Sequence, residues 1–242
     1  MRQLTAALLV TGALVGSFAV ASAATPRPVA FITGAQAKSP PSSNPLAPRK
    51  PFTTLYDQNN NDEGVAVVSQ NFTSGSGDSF DSQGADDFVV PTGHRWTIKE
   101  VDVTGQYPDG PGPASSENVF LYTDNGGLPG KPIGECDNVV GKDNGSGSFV
   151  IVLPRTCYKK LKAGTYWISV QINMNFGCCG EWLWEKQATV EGNPAAWQNP
   201  GDGFGTGCTT WAVENKCWGL AAPTTPNGDK MFTIKGKDIS TR

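Results

Sequence analysis

GTYWISVQINM, residues 164–174, alternates in chemistry at every step. Tyr166, Ile168, Val170, Ile172 and Met174 fall on one side of an extended chain, and Trp167, Ser169, Gln171 and Asn173 on the other. Side chains of a β-strand point to opposite faces in turn, so this pattern predicts a strand with one apolar face and one polar-aromatic face. The same signature recurs in both directions along the chain. GVAVVSQNF (64–72), GADDFVVP (84–91), HRWTIKEVDVTGQY (94–107), NVFLYTD (118–124), SFVIVLP (148–154), EWLWEKQATV (181–190) and DKMFTIKG (229–236) all read as strands. Pro91-Thr92-Gly93 is expected to end the second of these, and a phase shift near Glu100 to mark a bulge in the third. No stretch keeps a helical period over three turns. With 29 glycines and 18 prolines to make turns, the expectation is all-β: a single antiparallel β-sandwich, jelly-roll-like, with disulfides.

The N-terminal region reads differently. Arg2, the apolar run Leu4–Val20 and Ala21-Ser22-Ala23 have the layout of a cleaved secretory signal over residues 1–23. Residues 24–52 are rich in Pro, Ser and Ala and are expected to be a disordered linker, so the folded domain is expected over 53–242. The expected location is secreted or extracellular, with the periplasm as the alternative. No later apolar stretch is long enough to span a bilayer.

The six cysteines, Cys136, Cys157, Cys178, Cys179, Cys208 and Cys217, fit disulfides in an oxidising compartment. Cys208 and Cys217 bracket a short loop. Cys136 and Cys157 flank a hairpin with its turn at Asp143-Asn144-Gly145. That leaves Cys178 and Cys179, which pair with each other or stay reduced. No CxxC spacing occurs and His94 is the only histidine, which argues against structural zinc and against a histidine-based triad. The formal charge is −3, with no basic run, so nucleic acid is not an expected partner.

Several stretches resemble an uncharacterised family of secreted bacterial extracellular modules: Ala85-Asp86-Asp87-Phe88 with Val89-Val90-Pro91, Gly126-Gly127-Leu128-Pro129-Gly130, Gly164 to Val170, and Asn193-Pro194-Ala195-Ala196-Trp197. The resemblance implies an all-β extracellular module and brings no established activity with it.

Three constellations bear on chemistry. Trp182 and Trp184 share one face of a predicted strand and Trp167 lies beside Gln171 and Asn173. Indoles that stack on sugars, with amides and Glu181 binding hydroxyls, would make a glycan site; the alternative is that these indoles fill the core. Glu181 and Glu185 lie two pleats apart, on the order of 13 Å, which is wide for a glycosidase pair. Asp86, Asp87 and Asp229 are candidate ligands for a structural Ca²⁺ joining distant strands, whereas the run Asp57–Glu63 lacks the glycine and glutamate of an EF-hand. The reading is a secreted, non-catalytic module that binds a glycan or a cell-surface or matrix component. The alternatives are a carboxylate-dependent glycan hydrolase or lyase, and a structural envelope protein without a small ligand.

Overall fold

A computed structural model describes residues 31–33, 51–75, 77–219 and 228–240. The expected signal segment lies outside the described residues. Among those described, the strands are β1 (Phe31–Thr33), β2 (Thr53–Asp57), β3 (Asp62–Val68), β4 (Gln70–Phe72), β5 (Gln83–Val103), β6 (Gly105–Gln106), β7 (Ser116–Asp124), β8 (Pro129–Val139), β9 (Lys142–Asp143), β10 (Phe149–Val152), β11 (Lys160–Met174), β12 (Leu183–Gln187), β13 (Ala196–Gln198), β14 (Ala212–Val213), β15 (Asp229–Lys230) and β16 (Phe232–Ser240). Two four-residue helical turns, α1 (Phe176–Cys179) and α2 (Glu214–Cys217), interrupt them. The protein is an all-β, jelly-roll-like sandwich.

The larger sheet runs β14-β13-β5-β11-β7-β8, with β10 and β16 also on β5, β2 on β16, β9 on β10 and β4 beside β11. The smaller runs β1-β3-β12-β15, with β6 also on β12. All pairings are antiparallel except β4 with β11. β11 sits in the middle of the large sheet, paired with β5 and β7 over most of its length. Its Ile168, Val170, Ile172 and Met174 enter the main core, as their alternation implies.

Two expectations change. β1 lies inside the stretch read as a linker, and its backbone pairs with β3, Phe31 opposite Val67. Pro91-Thr92-Gly93 does not end a strand. β5 runs unbroken for 21 residues through it. On β11, Lys162 pairs with Arg95 and Gly164 with Val90, so residues 91–94 face Ala163 alone. Proline costs nothing to the β11 ladder where the chain bulges away from its partner, and Gly93 takes the positive φ of 81° that the bend needs. The bulge near Glu100 is present: Lys235 faces Glu100 and Gly236 faces Ile98, which leaves Lys99 extra.

β12 has no open face. Trp182, just before it, and Trp184 enter the main core against Phe149, Phe232 and each other. Leu183 points the other way, into a second cluster with Val65–Val68, Phe72 and Trp197. The C-terminal segment closes that side: Phe204 and Trp218 pack on Trp197, whose indole donates to Val68 O at 2.8 Å.

Disulfides join Cys136–Cys157, Cys178–Cys179 and Cys208–Cys217. The adjacent pair lies in α1, whose first turn is capped by the Asn175 side chain accepting from Gly177 N at 2.8 Å. Gly180 then leaves the turn at φ 85°, where any β-carbon would meet the Gly110 backbone. Gly180 is thus required by contact with the loop before β7.

Candidate functional site: a cationic groove with aromatic walls

Strand register assembles this site. Thr97 of β5 pairs with Lys160 of β11 on one side and with Lys237 of β16 on the other. Residues directly opposite across strands share a face, so these three form one row. Phe52, ahead of β2, Lys99, and Arg155 and Tyr158 from the segment after β10 complete a surface cleft of about 440 Å³, with Ile239 at its edge. The Lys99 ammonium lies 5.3 Å from the Phe52 ring centre and 5.6 Å from that of Tyr158, within cation–π reach of both. The Cys136–Cys157 bridge ties the Arg155–Tyr158 wall to β8.

Among the described residues, four cations line the cleft and no acid does. Asp238, next to Lys237, points to the opposite face and accepts from His94 Nδ1 at 2.8 Å. A protein with a formal charge of −3 therefore presents one local patch of positive potential. Such a patch fits an anion, and the flanking rings fit apolar C–H faces.

The residues singled out from sequence lie elsewhere. Trp167, Trp182 and Trp184 are buried at 0% exposure, which corrects the expectation of an exposed indole platform. Trp167 donates its indole N–H to Asp124 Oδ1 at 2.9 Å and packs beneath Tyr122 and Trp211. Burial is the physical reason: each ring removes a large apolar area from water and finds one polar partner for its N–H. Asn173 is committed to an internal amide network, donating to Ser116 Oγ and Asn118 Oδ1 and accepting from Asn71 Nδ2. Gln171 donates to Ser82 O at 3.0 Å. Glu181 and Glu185 are both enclosed, so neither faces a substrate cleft.

The tertiary fold does bring Asp86, Asp87 and Asp229 into one electrostatic neighbourhood, around Tyr56. Their oxygens meet N–H donors. Asp86 accepts from Gln58 Nε2 and Lys230 N, Asp87 from Asn193 N and Nδ2, and Asp229 from Glu191 N. Hard divalent cations take several converging oxygens. Among the described residues no group of three His, Cys, Asp or Glu side chains is arranged to hold a metal ion.

Sequence reading missed two features. The groove's lysines come one per strand, and only pairing aligns them. HRWTIK with KKLKAG held the one available signal. The second feature is a buried ionic cluster: Lys230 Nζ lies 2.6 Å from Glu214 Oε2, and Lys186 Nζ lies 3.4 Å from Glu214 Oε1 and 4.0 Å from Glu63 Oε2.

Burial raises several carboxyl groups. Desolvation, then the charge of Asp62, pushes Glu185 up to about 8, while a hydrogen bond from Gln106 opposes this. Desolvation likewise takes Glu117 and Asp229 to about 7, with Asp87 adding to the rise at Asp229. A raised folded-state pKa means the native protein holds protons that the unfolded chain has released. The stability these groups confer is present at low pH and is lost as pH rises through their folded values. Lys230, lowered by burial, acts in the opposite sense on the alkaline side. The urea midpoint is therefore expected to fall between about pH 5 and about pH 8, with Glu185→Gln flattening the upper part of that decline. A midpoint that climbs steadily through this range would contradict the burial of these acids.

The fold and the groove together define a class: an all-β module, stapled by disulfides, with an open cationic cleft. No family model matches the chain, and no curated protein does. Among solved structures, the chain is similar to the crystal structure of the cysteine protease and lectin-like domains of Cwp84, a surface layer associated protein of Clostridium difficile. The identity is 11% and the TM-score 0.40, over 74% of this chain and 33% of that one. The chain thus spans about a third of that protein's length. Among the described residues no helix is long and apolar enough to cross a membrane.

Proposed function

We propose that this is a secreted, non-catalytic binding module whose ligand is an acidic polysaccharide of an extracellular surface, held in the cationic groove. The observation that carries it is the row Lys160–Thr97–Lys237, with Lys99, Arg155, Tyr158 and Phe52 around it. Ammonium and guanidinium groups donate to carboxylate or sulfate oxygens. Sugar rings lie against Tyr158 and Phe52. The three disulfides fit an oxidising compartment. Among the described residues no acid lines this cleft, so none there supplies the carboxylate pair of a hydrolase.

The test is binding to carboxylated and sulfated polysaccharides against neutral ones. Lys160 and Lys237 are exposed strand residues, so Lys160→Ala with Lys237→Ala leaves the fold intact. Hydrogen bonds to charged groups contribute about 1.5–3 kcal/mol each. The double variant is expected to weaken binding at least about tenfold, and added salt to weaken the parent protein's binding further. Equal retention of neutral polysaccharides, or none of any kind, would overturn the assignment. The second outcome would favour a structural envelope role.

A further inference from the structure

We propose that Lys186 and Asn215 form an intramolecular isopeptide cross-link. Lys186 stands on β12 and Asn215 in α2, 29 residues apart in sequence. The Lys186 Nζ donates to Asn215 Oδ1 at 2.7 Å, which holds the amine against the side-chain amide. Lys186 is 1% exposed and Asn215 2%. Glu214 Oε1, at 3.4 Å from the same nitrogen, is the nearest carboxylate.

These are the components of aminolysis of an amide. A held nucleophile and electrophile convert a bimolecular reaction into a unimolecular one. Enclosure keeps out the water that would hydrolyse an activated amide. The Lys186 ammonium passes a proton to Glu214, and the free amine attacks Cγ of Asn215. The Nζ–Cγ bond forms as the carbonyl becomes an oxyanion. Glu214 returns a proton to the side-chain nitrogen as the carbonyl reforms. The Cγ–Nδ2 bond breaks, and the second Nζ proton leaves with the departing ammonia. Amine plus primary amide yields secondary amide plus ammonia, with no oxidant or cofactor.

The surroundings favour the product. The reaction removes one ammonium from a buried cluster and leaves Lys230 paired with Glu214 at 2.6 Å. Desolvation raises Glu63, the remaining carboxyl near Lys186, towards its neutral acid. The link would fasten the centre of the small sheet to the segment already closed by Cys208–Cys217. It is independent of the groove and of the function proposed for it.

Mass spectrometry of the folded chain decides the matter. The intact mass is expected to be lower by one ammonia, after allowing for the hydrogens lost to disulfides. Peptide mapping after reduction should return one branched peptide joining Lys186 to Asn215. Full mass, with unmodified Lys186 and Asn215 in separate peptides, would overturn the proposal. Glu214→Gln and Asn215→Ala are each expected to retain the ammonia. The parent mass remains decisive if either fails to fold. Ammonia loss persisting in Glu214→Gln would remove Glu214 as the proton carrier, and persisting in Asn215→Ala would refute the site.

Discussion

Trp184→Ala is expected to destabilise the protein by about 3–5 kcal/mol, the range for deleting a large aromatic from a packed core. The indole is 0% exposed. It stands edge-on to Phe232 at 6.2 Å and tilted against Trp182 at 6.1 Å. Its N–H donates to Met231 O at 2.9 Å, and the Lys230 ammonium lies 5.9 Å from its ring centre. Alanine leaves a cavity between the two sheets, a Met231 carbonyl that keeps only its bond from Thr104 N, and a lysine without its aromatic neighbour. β12 is buried on both faces, so there is no solvent side from which the gap can be filled. Chemical denaturation monitored by circular dichroism measures the loss. Trp184→Phe should recover much of it by refilling volume. Binding by the still-folded Trp184→Ala protein should stay near the parent level, because the groove lies elsewhere. A loss below about 1 kcal/mol would mean that Trp184 is solvent-accessible and that the exposed-platform reading deserves return.

The second large effect concerns charge. Glu214→Ala is expected to cost about 3–5 kcal/mol, because it strands buried ammonium groups without their carboxylate. Glu214 is 1% exposed, and Lys186 and Lys230 both converge on it. The contact with Lys230 is ionic rather than an aligned hydrogen bond, so its strength rests on proximity in a poorly solvated site. Burial already lowers the Lys230 ammonium from its usual value. Loss of Glu214 lowers it further, until shedding the proton becomes cheaper than holding it. Stability of Glu214→Ala should therefore improve as pH rises, opposite to the trend of the buried acids. Pairing Glu214→Gln with Lys230→Met removes one charge of each sign and should be far milder than Glu214→Ala. If the double variant loses as much as the single one, the stranded charge does not set the cost.

Much of this architecture was legible in the chain. Alternation in GTYWISVQINM placed β11, and the phase shift at Glu100 marked the bulge at Lys99. Local cysteine geometry pointed to Cys136–Cys157 and Cys208–Cys217, both present, and left Cys178 and Cys179 either paired with each other or reduced; the structure pairs them. These features are local: side-chain period, loop length and turn residues act over a few positions. Pro91 misled for the same reason. Its local preference for a strand end held only until a bulge opposite Ala163 let the strand pass through.

The site was a different matter. EWLWE states only that Trp182 and Trp184 share a side and Leu183 has the other. Whether a side faces water depends on what is stacked over it, and here Trp197 and Phe204 come from a distant segment to cover the face a two-layer sandwich would leave open. The same holds for Lys160 and Lys237, made neighbours by register alone, and for Lys186 against Asn215. By itself, the sequence determined the β class and the strand periods, because those follow from short-range chain geometry. Only the tertiary structure decided which aromatics are core, where the cations gather and which lysine meets an amide, because burial and proximity are properties of surfaces brought together from far along the chain.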